Sequence, residues 1–407
     1  MGRFTVEGGA RLSGTVTVSG SKNAALPVIF AALLAAGRSK IVGLPDIDDV
    51  RVALDIISEY GAVIEKRGDV TYINTENAHF AAPSEALSSK IRASAYTLGA
   101  SLGRFGRASL ISVGGCNFSS RPIDMHLFAA REFGAEEENS ELTAREPRPF
   151  SVSFKKRSVG ATVNALLLAS SVRGKSVIRG ASEEGHINTL IDFLVSAGAR
   201  IYRRGGEITV FGGELHGGEV RIPPDSIEAG SFLALSLLSG GEVGVIGVDR
   251  SELSGFLIPF ESAGAELCSR DGAFYLRGEL SQPVDIVAEP HPGYPTDLQP
   301  IAAPVLASFE GGSITDTVWQ ERFGYLSELG RMGLGYTLCG NRAEISGNVL
   351  SGAHVRALDL RGGAACLIAS LFARGVSSLD NAEILHRGYE RLSEKLLSLG
   401  ARIKYLP

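Results

Sequence analysis

Cysteine and tryptophan are scarce in this chain, and what is missing narrows its class. Only 4 cysteines and 1 tryptophan occur in 407 residues. The cysteines, at 116, 268, 339 and 366, form no C-x-x-C pair and share no short spacing. A chain this long does not need disulfide staples, so they read as free thiols in a reducing compartment. Positive charge is not in excess: 40 Lys and Arg face 45 Asp and Glu, for a net charge of −5 and a pI of about 5.9. That excludes broad nucleic-acid binding, which needs a basic face. An anionic ligand has to be met by cations gathered locally. Long hydrophobic runs are absent too. The longest, Ala24 to Gly37, has 14 residues, too short for a bilayer and suited to a buried helix. The N-terminus, MGRFTVEGG, lacks the apolar stretch of a secretory signal. The expectation is a soluble cytoplasmic protein, with no membrane role and no evident obligatory protein partner. Hydrophobic residues at 44% and charged residues at 21% exclude disorder and leave room for two or three domains.

What the chain has in abundance is glycine, 50 residues, regularly placed. A helix-like run of small and apolar residues, then a glycine, then a strand-like run recurs six times. Its closing glycines are Gly37, Gly106, Gly174, Gly241, Gly311 and Gly375. Each suits a left-handed cap at a helix C-terminus. A second marker keeps phase with the first. An amphipathic helix ends at Gly61, Gly134, Gly198, Gly264, Gly333 and Gly400 and then enters a strand. The period is about 68 residues, longer than the 20–50 typical of solenoids, so each unit is a larger α/β module. One helix of each module is apolar nearly all round and expected inside; the other is amphipathic and expected outside. Six modules suggest three plus three. Residues 22–227 form a first domain, and residues 1–21 with 228–407 form a second. The chain then crosses between domains twice.

A charged or polar residue opens each apolar helix: Lys22, Arg92, Ser158, Glu228, Asp297 and Arg361. Charge there is costly if buried without partners. Solvent-exposed caps are the bland explanation, but Lys and Arg are poor choices at an N-terminus unless an anion sits there. Three such ends converging in each domain would line a cleft with unsatisfied N–H groups, which bind phosphates and carboxylates. Further charged residues stand in loops punctuated by glycine or proline: Arg121, Lys156, Arg322 and Arg387. Singly each is a weak signal. Together with Cys116 they describe a cleft with several cations, one or two carboxylates and a thiol.

Six segments carry a resemblance: SGSKNAALP (19–27), GGCNFSSRPIDMH (114–126), SVGAT (158–162), PTDLQ (295–299), DLR (359–361) and RGYE (387–390). With them the chain resembles the enolpyruvyl transferases over nearly its whole length. The cysteine loop is the most specific segment and points to the branch acting on UDP-N-acetylglucosamine. The resemblance implies an α/β fold of two inside-out barrels, each of three βαβαββ units, with the active site in the interdomain cleft. It implies transfer of the enolpyruvyl group of phosphoenolpyruvate to the 3′-hydroxyl of UDP-N-acetylglucosamine, with release of phosphate and no metal or organic cofactor. Lys22, Arg121 and Arg387 then hold phosphoenolpyruvate, with Arg92 and Arg361 close by; the planar guanidinium fork suits carboxylate and phosphate alike. Asp297 takes the proton of the attacking hydroxyl. Cys116 acts as general acid on a lid hinged at Gly114 and Gly115, and is the target of the epoxide antibiotic fosfomycin. The nucleotide sugar meets Arg121, Pro122, Ile123 and Asp124 at uridine. Lys156, Ser158, Val159 and Gly160 meet its diphosphate, and Asn23, Arg92, Asp297 and Trp319 lie near the sugar. Cys268, Cys339 and Cys366 have no catalytic claim.

Three places depart from the family pattern. His386 replaces an aspartate before RGYE, Trp319 replaces a phenylalanine in TVWQERF (317–323), and Ser182–Gly185 reads SEEG where the family has REPE. They leave two alternatives open: a transferase acting on another hydroxyl, or a catalytically inactive binding protein of the same fold.

Overall fold

A computed structural model of the chain describes residues 2–110, 114 and 122–407. Residues 2–19 and 224–407 form one compact unit, here the terminal unit. Residues 20–110, 114 and 122–223 form the other, the inserted unit. The chain passes between them at 19/20 and 223/224.

In the inserted unit three helices, Lys22–Leu34, Tyr96–Phe105 and Val159–Ser171, pack against one another. The first is buried without interruption from Ala24 to Leu34. No side of it offers a polar face, so it is stable only when surrounded. The outer helices Asp48–Glu59 and His186–Ser196 bury one stripe each. The terminal unit repeats the plan, with the helix Gln299–Ala307 packed on both Ser226–Leu238 and Leu360–Phe372. In each unit the sheets lie outside these helices, and their strands alternate buried and exposed residues, as in Arg3–Glu7.

One sheet shows how a module is wired. Strand Ser151–Ser153 pairs in parallel with Gly174–Arg179, which pairs antiparallel with Glu207–Gly212, which pairs antiparallel with Arg200–Arg204. The same order recurs in four further sheets, and a three-stranded sheet holds Arg107–Ser109, Glu141–Thr143 and Glu136–Glu138. The sequential modules are cut at the crossings. Strand Glu219–Arg221 pairs with Arg38–Val42 and so opens the first module from the far end of its unit. Strand Gly14–Thr17 pairs with Val243–Ile246, and Arg3–Glu7 pairs with both Val376–Asp380 and Arg402–Leu406. The N-terminal strands thus open the fourth module and close the sixth.

All twelve marker glycines have positive φ. The second set behaves as the pattern predicts. At Gly61 the chain turns left-handed, Gly61 N–H bonds Ser58 C=O, and Ala62 N–H reaches back to Ile57 C=O. This is the Schellman closure, which side chains with a Cβ adopt only under strain. The first set differs from expectation. Only Gly106 caps its helix directly. The helix Lys22–Leu34 ends through Ala35 in extended backbone, and Gly37 turns the chain three residues past the last helical residue. The glycine serves the entry into strand Arg38–Val42 rather than the helix end. The helix starts also vary. Lys22 is the first helical residue, Ser158 is an N-cap, Arg92 opens a 3₁₀ turn ahead of Tyr96, and Asp297 precedes its helix.

Glu228 is used structurally. It is 1% exposed, its Oε1 pairs with Lys395 Nζ at 2.6 Å and its Oε2 accepts Ser19 N–H at 2.7 Å. Burial raises its carboxyl above the ordinary value, and the ion pair and the backbone donor offset part of that cost. The other cysteines sit where no chemistry is expected: Cys268 and Cys339 in strands, and Cys366 in a core helix where burial pushes its thiol up. Among the described residues no helix is long and apolar enough to cross a membrane.

Candidate active site

The terminal unit concentrates charge around Asp297. This carboxylate follows Pro295 and Thr296 and has 27% of its side chain exposed. Its Oδ1 accepts from Arg322 Nη1 at 2.8 Å, and its Oδ2 from Arg361 Nη2 at 3.3 Å and Nε at 3.4 Å. Both guanidiniums are buried, Arg322 at 4% and Arg361 at 1% exposed. Two cations on separate oxygens fix the carboxylate plane, and charge-assisted bonds of this kind are the strong ones. Arg361 also stacks on Tyr389, with Cζ 5.2 Å from the ring centroid, and Tyr389 shares its hydroxyl with Ser231 at 2.9 Å. Burial works against the Arg361 charge, but Tyr389, Asp297 and Asp225 outweigh it and its proton is held above the ordinary value. Its Nη1 is buried with no hydrogen-bond partner among the described residues. A donor in that state is ready for an incoming oxygen.

Arg361 is placed by its helix start. Asp359 caps the helix Leu360–Phe372, and its Oδ1 accepts N–H from Arg361 at 2.9 Å and Gly362 at 3.0 Å. Arg387 ends the 3₁₀ turn Ala382–Arg387, and the next residue, Gly388, presses on the same helix start: a Cβ there would lie 2.6 Å from Leu360 Cδ2. Neighbouring His386 packs edge-on against Tyr405, so this departure sits against the C-terminal strand. Trp319 is half-buried in the loop after strand Gly312–Asp316.

In the inserted unit Lys22 and Asn23 open a helix capped by Ser21. The Lys22 ammonium lies 3.3 Å from Asp49 of the neighbouring helix, both largely buried. A second group gathers at the start of helix Val159–Ser171. Ser158 caps it, its Oγ accepting from Ala161 N–H at 3.3 Å, with Lys156 exposed just before. Gly160 leaves room for an imidazole: a Cβ there would stand 2.8 Å from His126 Cε1 and 2.9 Å from Nε2. His126 is 4% exposed, and its proton-binding is pushed down to about 4 by burial first and by Arg92 second. Asn164 sets the tautomer. Its Oδ1 accepts from Gly99 N–H at 2.8 Å, so its amide nitrogen faces Ala95 C=O at 2.9 Å and His126 Nδ1 at 2.6 Å. Nδ1 is therefore an acceptor, and Nε2 carries the hydrogen beside the helix start. Asp124 opens the helix Asp124–Phe133 after Pro122 and Ile123, where a carboxylate favours the helix dipole. The departing segment is anchored here too: Ser182 N–H bonds Thr162 Oγ1 at 2.9 Å and Glu183 pairs with Arg157 at 2.7 Å.

Cys116 and Arg121 lie outside the described residues. Within the terminal unit, Asp297 and Arg361 are brought into direct contact. Within the inserted unit, Arg92 acts on His126, which lies against Gly160. Arg322, Asp316, His126, Asn164 and Asp49 were not singled out for these roles from sequence. Arg322 alone carried a signal, as an arginine in a loop.

Residues 6–396 match the family described as EPSP synthase (3-phosphoshikimate 1-carboxyvinyltransferase). The chain belongs to this family. Within it the chain is 37% identical over 412 residues to the UDP-N-acetylglucosamine 1-carboxyvinyltransferase of Halothermothrix orenii, covering 99% of each. It is 39% identical over 415 residues to the protein of that name from Chlorobium limicola, covering 99% of this chain and 98% of the relative. Among solved structures it is similar to the enolpyruvyl transferase NikO from Streptomyces tendae, with a TM-score of 0.90 at 25% identity, covering 100% of this chain and 99% of that one. EPSP synthase from Acinetobacter baumannii shares the fold, with a TM-score of 0.75 at 17% identity over 100% of both chains. The mixed α/β architecture of an enolpyruvyl transferase, with sheets outside and helices inside, is thus established.

Proposed function

We propose that this protein transfers the enolpyruvyl group of phosphoenolpyruvate to the 3′-hydroxyl of UDP-N-acetylglucosamine and releases phosphate, the first committed step of peptidoglycan synthesis. The observation that carries this reading is Asp297, a carboxylate with 27% of its side chain exposed and a buried guanidinium on each oxygen. Relatives at 36–39% identity over almost the whole chain bear the corresponding name. The reaction is an addition followed by an elimination. The methylene carbon of phosphoenolpyruvate gains a proton, C2 becomes electrophilic, and the sugar oxygen bonds to it while its proton passes to Asp297. The tetrahedral intermediate then loses a methyl proton and phosphate, which restores the double bond on the new ether.

The cations have separate tasks in this reading. Lys22, Arg121 and Arg387 hold the phosphate and carboxylate of the donor, with Arg92 and Arg361 beside them. The unpartnered Nη1 of Arg361 gives one such oxygen a buried donor. Asn23, Arg92, Asp297 and Trp319 face the sugar; Arg121, Pro122, Ile123 and Asp124 meet the uridine. Lys156 with the N–H groups of Ser158, Val159 and Gly160 cradles the diphosphate. Cys116 supplies a proton as general acid. The enzyme works in the cytoplasm on small-molecule substrates, without a metal or cofactor and without an obligatory protein partner.

A second reading, transfer to a different hydroxyl, is favoured by the departures at Trp319 and Ser182–Gly185, which touch acceptor recognition and not the donor cations. One assay separates the two. Phosphate release with phosphoenolpyruvate and UDP-N-acetylglucosamine is expected, and Asp297→Ala is expected to lower kcat by about a hundredfold or more. No release with this acceptor but release with another hydroxyl compound sinks the first reading. No release with any acceptor sinks both and leaves a binding protein of the same fold.

A further inference from the structure

Asp316 is fully buried at the end of strand Gly312–Asp316, with nothing to react with. It nevertheless joins two segments that the proposed chemistry needs. Its Oδ1 accepts N–H from Val318 and Trp319, each at 2.8 Å. Its Oδ2 accepts the hydroxyl of Thr296, the residue before Asp297, at 2.6 Å. The Trp319 loop turns directly into Arg322, whose own N–H bonds Trp319 C=O at 3.0 Å. Arg322 Nη1 then returns to Thr296 C=O at 3.1 Å and to Asp297 Oδ1 at 2.8 Å. The contacts close a ring: Asp316, the Trp319 turn, Arg322, the Thr296–Asp297 segment, and Asp316 again. The ring is fastened to the sheet, because Asp316 exchanges backbone and side-chain bonds with Asn341 at 3.0 Å.

We infer that Asp316 is a positioning residue, which sets the proton acceptor Asp297 and the acceptor-facing Trp319 as one rigid piece. The inference rests on the roles proposed above for those two residues. The chemistry calls for a carboxylate. Three donors point at it, and a carboxylate only accepts, whereas an amide presents a donor on one side. In Asp316→Asn the oxygen can still serve the loop N–H groups, but the NH₂ then faces the Thr296 hydroxyl. That hydroxyl already has Arg322 Nη1 at 3.4 Å. The hydroxyl must then accept where it donated, which reverses and weakens the Thr296 arm while the loop arm holds. Thr296→Val breaks the same arm from the other end, with nearly the same shape. Asp316→Ala breaks both.

These variants are compared in the phosphate-release assay, with Trp319 emission as a second readout, since it is the sole tryptophan. Asp316→Asn and Thr296→Val are expected to lower kcat by about tenfold, with the KM for the acceptor within about twofold of wild type. Asp316→Ala is expected to raise that KM by about tenfold as well, and to shift the Trp319 emission. Asp316→Glu, which keeps the charge and the acceptor set, is expected to recover part of kcat. A general loss of stability predicts no such split between kcat and KM. Wild-type turnover tests the functional reading by itself. If wild type turns over and the folded variants match it within about twofold in kcat, KM and emission, the positioning role is overturned. Should Asp316→Asn or Asp316→Ala fail to fold, Thr296→Val decides by the same criterion. Should wild type be silent, the ligand-free emission of Asp316→Ala still decides, and an unchanged spectrum overturns the inference.

Discussion

Histidine 126 offers a perturbation whose size follows from its surroundings. In the unfolded chain this imidazole binds its proton at 6.5, and in the folded protein at about 4. Burial is the main cause; Arg92 adds to it and Asp124 opposes it. Geometry points the same way. A proton on Nδ1 would set two donors face to face across the 2.6 Å contact with Asn164. The sign follows directly. Below pH 6.5 the unfolded chain gains a proton that the folded one refuses, so stability falls as the pH falls. The loss grows through the window from 6.5 to about 4 and is complete below it. At about 1.4 kcal/mol per pKa unit, the full loss is about 3 kcal/mol and reaches about 2 kcal/mol at pH 5. Proton NMR of the 7 histidines checks the cause, with the His126 signal identified by its loss in His126→Gln. Its midpoint is expected near 4. Denaturant unfolding at pH 7.5 and 5 checks the consequence, as a difference between wild type and variant that shrinks in acid by about 2 kcal/mol. A His126 signal titrating at its ordinary value would refute both the neutral tautomer and the proposed Nε2–H donor beside Gly160.

Two further outcomes are expected. Gly160→Ala gains about 1 kcal/mol of helix propensity, but its Cβ would meet the pinned His126 ring at 2.8 Å, and overpacking of this kind costs about 1–3 kcal/mol. Calorimetry is expected to show a lower Tm, and kinetics a KM for UDP-N-acetylglucosamine raised by about tenfold; a higher Tm with unchanged KM refutes the close fit. Fosfomycin is expected to inactivate the enzyme by alkylating Cys116, and Cys116→Asp is expected to resist it. Mass spectrometry showing the adduct on Cys268, Cys339 or Cys366 means that the wrong thiol was named.

Local backbone demands made much of the fold legible. Gly61 and its five counterparts had to be glycine because a left-handed residue follows each outer helix, a requirement that spans a few residues and shows in any one module. The apolar run of Ala24–Leu34 likewise announced burial, since nothing in it could face water. The role of Gly37 is not legible in composition, because the same left-handed conformation serves a helix end or a strand entry.

The sequence by itself determined the repeat, its punctuation, and the types of residue at each helix start. Only the tertiary structure decided what each charge does. Glu228 and Arg361 open equivalent helices, yet one is neutralised by Lys395, 167 residues away, and the other faces Asp297. His126 became a neutral donor because Asn164 and Gly160 meet it from another helix. Asp316 had no marker at all, since its meaning lies in closing a ring with Thr296 and Arg322. The physical reason is range. Backbone geometry is settled among neighbours in the chain, whereas the state of a buried charge is settled by whichever partner the fold brings within about 3 Å.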